Sequence, residues 1–166
     1  MLRLINIVLL FIAATVFYWL GLLVFAPLGI MVNIMLAFSI IVAAITPQRY
    51  GYIFAFFSGL FLDFLGTTVF GAGALAFTLL MMLFYRIKNN IDFKEILPQM
   101  VITALLNFVY IILFGILTKI FSNSFAWQGW KNLFLGSLLL GLLMPLLYLL
   151  AERFLVFDTL KKADEN

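Results

Sequence analysis

The sequence predicts an all-α, polytopic membrane protein with six transmembrane helices and both termini in the cytoplasm. Three observations lead to this fold class. First, 66% of the 166 residues are hydrophobic and 10% are charged, with a mean hydropathy of +1.22, whereas soluble domains are roughly 45–50% apolar and about 25% charged. Second, runs of about 20 apolar residues recur along the chain, as membrane-crossing helices require. Third, basic residues cluster at the ends of these runs.

The breaks between apolar runs define the spans. We place them at about residues 4–25, 30–45, 51–66, 69–85, 99–118 and 132–150. Together they form a single integral membrane domain over residues 1–166. The first run is long for the apolar part of a signal peptide, so we interpret it as an uncleaved span.

The distribution of Lys and Arg predicts the orientation. If the termini are inside, eight of the ten basic residues face the cytoplasm and two face outward. The inside residues are Arg3, Arg49, Arg86, Lys88, Lys94, Arg153, Lys161 and Lys162. The outside residues are Lys119 and Lys131. Because cytoplasmic loops carry the excess of basic residues, the sequence favours an N-in, C-in arrangement and puts Asp63 near the extracytoplasmic face.

Turn and breaker residues separate the first four spans. Residues 26–29 read Ala-Pro-Leu-Gly and residues 46–50 read Thr-Pro-Gln-Arg-Tyr, so each is predicted to be a turn. Residues 66–71 begin and end with glycine and turn the chain again before span four.

The connection before span five is the most charged part of the chain. Asp92 and Glu95 have the spacing of a capping box, with Asp in place of Ser or Thr. We therefore expect a short interfacial helix that starts at Phe93. Pro98 would then remove a backbone hydrogen bond to Lys94, which predicts a kink.

The second half ends with a loop, a span and a tail. The loop over residues 119–131 contains Trp127 and Trp130, which suit an anchor in the membrane interface. Span six contains Pro145, which predicts another kink. From Phe154 onward the sequence becomes polar, and we expect a fraying tail.

Asp63 is the one acidic residue in the apolar sequence of spans three and four. A carboxylate in hydrocarbon costs about 2.5–3.5 kcal/mol on insertion scales, so it needs a partner, a water-filled cavity or a proton. Gly59 lies one turn earlier on the same helical face, where a small residue allows close packing. We predict that Gly59, Asp63, Gly66 and Gly71 form a structural or partner-binding polar site. A proton or ion site is the alternative.

Span five carries a polar stripe on one face. Its residues are Gln99, Thr103, Asn107 and Tyr110. The simplest role for such a stripe is hydrogen bonding between helices, which contributes less than about 2 kcal/mol per contact.

The residue inventory argues against catalysis. The chain has no Cys and no His, so thiolate and imidazole chemistry and Cys/His metal sites are excluded within it. Glycosidase chemistry needs two carboxylates around one bond, and Asp63 has no acidic companion on its side of the membrane. We expect no catalytic residue, no cofactor and no metal. The pI near 9.3 reflects membrane orientation and does not predict nucleic-acid binding.

Residues 58–75, SGLFLDFLGTTVFGAGAL, resemble the hallmark of the rod shape-determining protein MreD family. In that family a G-L-x-x-D element precedes a short turn and a glycine-led hydrophobic segment. The matching positions here are Gly59, Leu60, Asp63, Gly71 and Leu75. Asn33 early in span two and the lead-in at residues 47–51 also look like that family. Family members often have Pro before this Asp or Asn, where this chain has Val32.

The resemblance implies a function that composition does not. MreD-like proteins are multi-pass components of the bacterial inner (cytoplasmic) membrane and belong to the cell-elongation machinery. They associate with MreC, a bitopic protein, and are connected through it to MreB filaments, RodA and a penicillin-binding transpeptidase. The resemblance therefore implies a non-enzymatic scaffold that helps maintain cell shape by organising peptidoglycan synthesis.

Two other functions use the same residues. The family is similar in architecture to the substrate-binding subunits of energy-coupling-factor transporters, so the alternative is a small-molecule-binding membrane subunit. Asp63, Asn107 and Tyr110 could contribute to its pocket, although the sequence lacks a rich polar lining. A lipid-binding protein would use the same face with an apolar cavity.

Overall fold

A computed structural model of the chain describes residues 4–66, 69–89, 91, 93, 95–123 and 125–163. Within these residues the chain forms helices and no β-strand, which confirms the all-α prediction. The α-helices are α1 (Leu4–Phe25), α2 (Ile34–Ile45), α3 (Gln48–Leu65), α4 (Ala72–Lys88), α5 (Ile96–Ser122), α6 (Gly129–Lys131) and α7 (Ser137–Ala163). A 3₁₀ turn over Ala26–Leu28 follows α1, and a π-helical turn over Asn132–Gly136 joins α6 to α7.

Three helical stretches of the described chain are long and apolar enough to cross a membrane: Asn6–Leu28, Ile96–Ser122 and Gly129–Arg153. These stretches confirm a membrane protein. α2, α3 and α4 are shorter, with 12, 18 and 17 residues. At 1.5 Å per residue they are about 18, 27 and 26 Å long, against a hydrocarbon core of about 30 Å. The six-span arrangement stays a prediction.

The shortest of these helices, α2, lies at the centre of the fold. Every residue from Ile34 to Ala43 is buried, and α2 packs against α1, α3, α4, α5 and α7. The predicted start of span two at residue 30 is wrong, because residues 30–33 are not helical. Asn33 is the last of these non-helical residues and caps α2, since its side chain accepts a hydrogen bond of 3.2 Å from the Leu36 amide.

A lysine from another helix satisfies the other end of α2. The Lys88 Nζ donates to the carbonyl oxygens of Ala43 and Ala44 at 2.9 and 2.7 Å. The Thr46 hydroxyl donates to the Val42 carbonyl at 2.6 Å. A cation is favourable at a helix C-terminus, where carbonyl groups lack partners within the helix. The last residue of α4 thereby fixes the end of α2.

Two predicted boundaries shift by three residues. α3 begins at Gln48 and not at residue 51, because Pro47 stands just before the helix and leaves the following residues free to be helical. α4 begins at Ala72 and not at residue 69, because Gly71 has a φ of +95°, which an α-helix does not contain. α4 then continues to Lys88.

The start of α5 differs from its prediction. Phe93 lies in a turn, and the helix begins at Ile96, so the predicted short helix from Phe93 is wrong. Pro98 therefore falls in the first turn, where an amide has no partner within the helix. Pro98 therefore removes no hydrogen bond within the helix, and the reason for expecting a kink there no longer applies. Asp92 and Lys94, which the capping and kink predictions invoked, lie outside the described residues.

The helices of the second half extend further than predicted. α5 reaches Ser122, so residues 119–122 of the predicted loop are helical. α7 contains Pro145 and is helical to Ala163, so a helix replaces most of the predicted tail. The rings of Trp127 and Trp130 lie 5.2 Å apart and are exposed, as an interfacial anchor requires.

α3 and α4 pack with their backbones in close contact. A Cβ on Gly59 would lie 2.5 Å from the Gly73 carbonyl oxygen and 2.6 Å from the Ala74 Cα. A Cβ on Gly73 would lie 3.0 Å from the Gly59 carbonyl oxygen. These two glycines therefore allow a contact that any side chain would block.

We expect Gly59→Ala to destabilise the protein by about 1–3 kcal/mol, because its methyl group would meet backbone atoms that cannot move independently. Thermal unfolding in detergent measures the effect. Gly115→Ala is the matched control, since its methyl group would meet only the partly exposed ring of Phe125, which can rotate away. Equal melting temperatures for the two variants would contradict the close packing of α3 on α4.

Candidate functional site

The carboxylate of Asp63 binds the first turn of α4. Its Oδ1 accepts a hydrogen bond from the Gly73 amide at 2.8 Å, and its Oδ2 accepts from the amides of Gly71 and Ala74 at 3.1 and 3.0 Å. These three amides are among those that an α-helix cannot satisfy itself. Asp63, in the last turn of α3, therefore supplies the N-terminal cap of the next helix.

The local sequence of α4 requires this external cap. Gly71 occupies the capping position and has no side chain to accept a hydrogen bond. Its φ of +95° is the conformation that favours glycine, and nothing lies within 4 Å of a built Cβ. The carboxylate also carries the charge that the positive end of a helix dipole favours. The hydrogen-bond geometry and the negative charge of Asp63 therefore both favour this contact. We call the contact between Asp63 and residues 71–74 the joint.

Gly73 lets the carboxylate approach. A Cβ at this position would lie 2.5 Å from Asp63 Oδ1 and 3.0 Å from Asp63 Cγ. Gly73 was absent from the predicted site, although it lies two residues after Gly71. The only signal for it in the sequence was its place near Asp63 in a glycine-rich segment.

The predicted site residues meet at this joint with different roles. Gly59 packs against Gly73, and Gly71 provides the turn, as described above. Gly66 ends α3 with an extended backbone (φ −83°, ψ 159°) and donates its amide to the Leu62 carbonyl at 2.8 Å. Its backbone conformation is one that any residue can adopt.

A cavity of about 500 Å³ opens beside the carboxylate. It lies among α1, the segment before α2, the end of α3, α5, the loop before α6 and the π-helical turn before α7. Polar side chains from all six parts line it: Tyr18, Asn33, Asp63, Asn107, Tyr110, Gln128 and Asn132. The three residues that the sequence suggested for a small-molecule pocket, Asp63, Asn107 and Tyr110, are thus brought to one cavity.

The polar stripe of α5 connects this cavity to α7. The Asn107 Nδ2 donates to the Ser137 hydroxyl at 3.0 Å, which confirms the predicted hydrogen bonding between helices. The Gln99 side chain donates to the Phe93 carbonyl at 3.0 Å. Tyr110 is buried against the Phe77 ring at 5.3 Å.

Asn132 closes one side of the cavity, and sequence reasoning missed it. Its Oδ1 accepts from the Met31 amide at 3.0 Å, and its Nδ2 donates to the Gln128 carbonyl at 2.7 Å. The neighbouring Lys131 Nζ donates to the Leu28 carbonyl at 2.6 Å. These bonds tie together segments about 100 residues apart in the chain. A single asparagine in the sequence gives no sign of such a partner.

The site offers hydrogen-bonding groups and one carboxylate. The described residues contain no group of three or more His, Cys, Asp or Glu side chains that could hold a metal ion. This arrangement fixes α3 to α4 and holds a partly polar cavity between six parts of the fold.

Comparison with known proteins identifies a family. The model of the family described as rod shape-determining protein MreD matches residues 1–154 of the 166-residue chain. The match extends well beyond residues 58–75, which carried the resemblance in the sequence. No curated protein and no solved structure matches the chain.

We expect Asp63→Ala to lower the free energy of unfolding by about 1–3 kcal/mol, because three backbone amides lose a charged acceptor in a partly buried site. Asp63→Asn should cost less, since its one oxygen can still accept. Glu152→Ala is the control, because Glu152 makes no hydrogen bond or ion pair with the residues that the structure describes. Thermal unfolding of the purified variants tests this. If Asp63→Ala unfolds at the same temperature as Glu152→Ala, the carboxylate does not stabilise the joint.

Proposed function

The chain belongs to the rod shape-determining protein MreD family, and from this membership we propose that it is a non-enzymatic scaffold of the bacterial cell-elongation machinery. In this role it organises peptidoglycan synthesis together with a bitopic partner of the MreC type. The family match over residues 1–154 is the observation that carries the proposal. MreB filaments, RodA and a penicillin-binding transpeptidase are connected to the chain through that partner.

The proposed topology is six spans in the bacterial inner membrane, with both termini in the cytoplasm. The excess of basic residues at one set of span ends supports this orientation. The burial of α2 supports counting a 12-residue helix among the spans, because a helix enclosed by others need not match the full thickness of the lipid. In this topology Asp63 and the cavity lie near the extracytoplasmic face.

The joint at Asp63 suits a scaffold. Three of the carboxylate's acceptor positions are already used by the amides of α4. We therefore assign Asp63 an indirect part in partner binding: it fixes the angle between α3 and α4, and the partner binds the surface that these helices present. Exposed aromatic side chains on and after α3, at Phe56, Phe57, Phe64 and Phe70, are available for lipid or for a partner helix.

The second candidate is a small-molecule-binding subunit of a transporter of the energy-coupling-factor type. The observation in its favour is that Asp63, Asn107 and Tyr110 line one cavity. Such a subunit would be recovered with an ATPase module and a second membrane protein. The scaffold would be recovered with an MreC-type protein and wall synthases.

The test is a chromosomal replacement strain that carries a tagged copy of the chain. We expect Asp63→Ala to lower recovery of the MreC-type partner at least severalfold, at equal protein levels in the membrane, and to round the cells. Asp63→Asn should have a smaller effect, because part of the helix cap remains. Glu152→Ala should behave as wild type. Rod-shaped Asp63→Ala cells with full partner recovery would contradict the proposed role of the joint, and recovery of an ATPase module would favour the transport subunit.

A further inference from the structure

We propose that the cavity beside Asp63 binds a ligand with an ammonium group. The ligand is either the head group of an aminophospholipid or a small soluble amine. The cavity volume of about 500 Å³ falls in the range of small-ligand sites. The inference does not depend on which protein the chain binds, because it rests on the lining of the cavity alone.

An unpaired buried oxygen is the first argument. Asn107 lines the cavity and is 1% exposed. Its Nδ2 donates to Ser137, whereas its Oδ1 has no hydrogen-bond partner among the described residues. A buried polar atom without a partner is destabilising. A hydrogen-bond donor on a bound ligand would satisfy this oxygen.

The charge of the lining is the second argument. Asp63 is the one charged side chain among the described residues that line the cavity, and no Lys or Arg is among them. Among the described residues, only the Gly73 amide donates to its Oδ1, which leaves that oxygen one further acceptor position. A carboxylate without a cationic neighbour favours a cation and disfavours a phosphate or carboxylate ligand.

Aromatic rings are the third argument. Tyr18, Tyr110 and Trp127 line the same cavity as Asp63. The faces of such rings attract cations, and the attraction is larger where water is excluded. A carboxylate, a free amide oxygen and aromatic rings together are the groups that recognise an ammonium ion.

The test uses the full-length chain in nanodiscs. In discs of phosphatidylglycerol with a minor share of phosphatidylethanolamine, native mass spectrometry should show retention of phosphatidylethanolamine by the wild type. Asn107→Leu should weaken that retention about tenfold, the loss expected for one hydrogen bond to a charged group. Thr103→Val is the matched control. Its hydroxyl is also buried without a partner among the described residues, on the same helix, but Thr103 does not line the cavity.

A second variant separates ligand loss from misfolding. Ala126 lines the cavity from a loop, so Ala126→Phe should fill the space and also abolish retention while the helices stay intact.

Thermal unfolding in discs of phosphatidylglycerol alone, with and without millimolar ethanolamine, tests whether the ligand is a soluble amine. Selective retention of the lipid identifies a head group, and stabilisation by ethanolamine identifies a soluble amine. Equal retention of both lipids with no effect of ethanolamine would overturn the proposal, as would retention unaffected by Asn107→Leu and Ala126→Phe.

Discussion

The fold depends on the contact between one carboxylate and one helix terminus. Asp63 needs hydrogen-bond donors because it lies in an apolar segment, and α4 needs an acceptor because it begins at a glycine. Each group satisfies the other, and Gly59 and Gly73 bring the two helices close enough for the contact. The hydrogen bonds between the Asp63 carboxylate and α4 thereby constrain the angle between α3 and α4.

A complementary contact fixes the central helix. The Lys88 amine binds the last carbonyls of α2, as the Asp63 carboxylate binds the first amides of α4. An anion thus lies at a helix N-terminus and a cation at a helix C-terminus, each on its favourable side of the dipole. α4 carries one such contact at each end, so it links α3 to α2.

Much of this arrangement could be predicted from the sequence, because apolar runs and an isolated Asp are local signals. They predicted the helical class, the approximate helix positions and a polar site at Gly59, Asp63, Gly66 and Gly71. The remainder depended on partners distant in the chain. Neither the hydrogen bond from the Met31 amide to Asn132 nor the capping of α2 by Lys88 has a local signature. Helix ends were misplaced for a different reason, since hydropathy does not report where a cap or a turn residue lies.

Amide hydrogen exchange tests the central contact most directly. It would be measured residue by residue in the wild type and in Asp63→Ala. The account predicts faster exchange in the variant at Gly71, Gly73 and Ala74, with no change at the buried centre of α2. Unchanged exchange at those three amides would contradict the account, because it would mean that the carboxylate does not hold the first turn of α4.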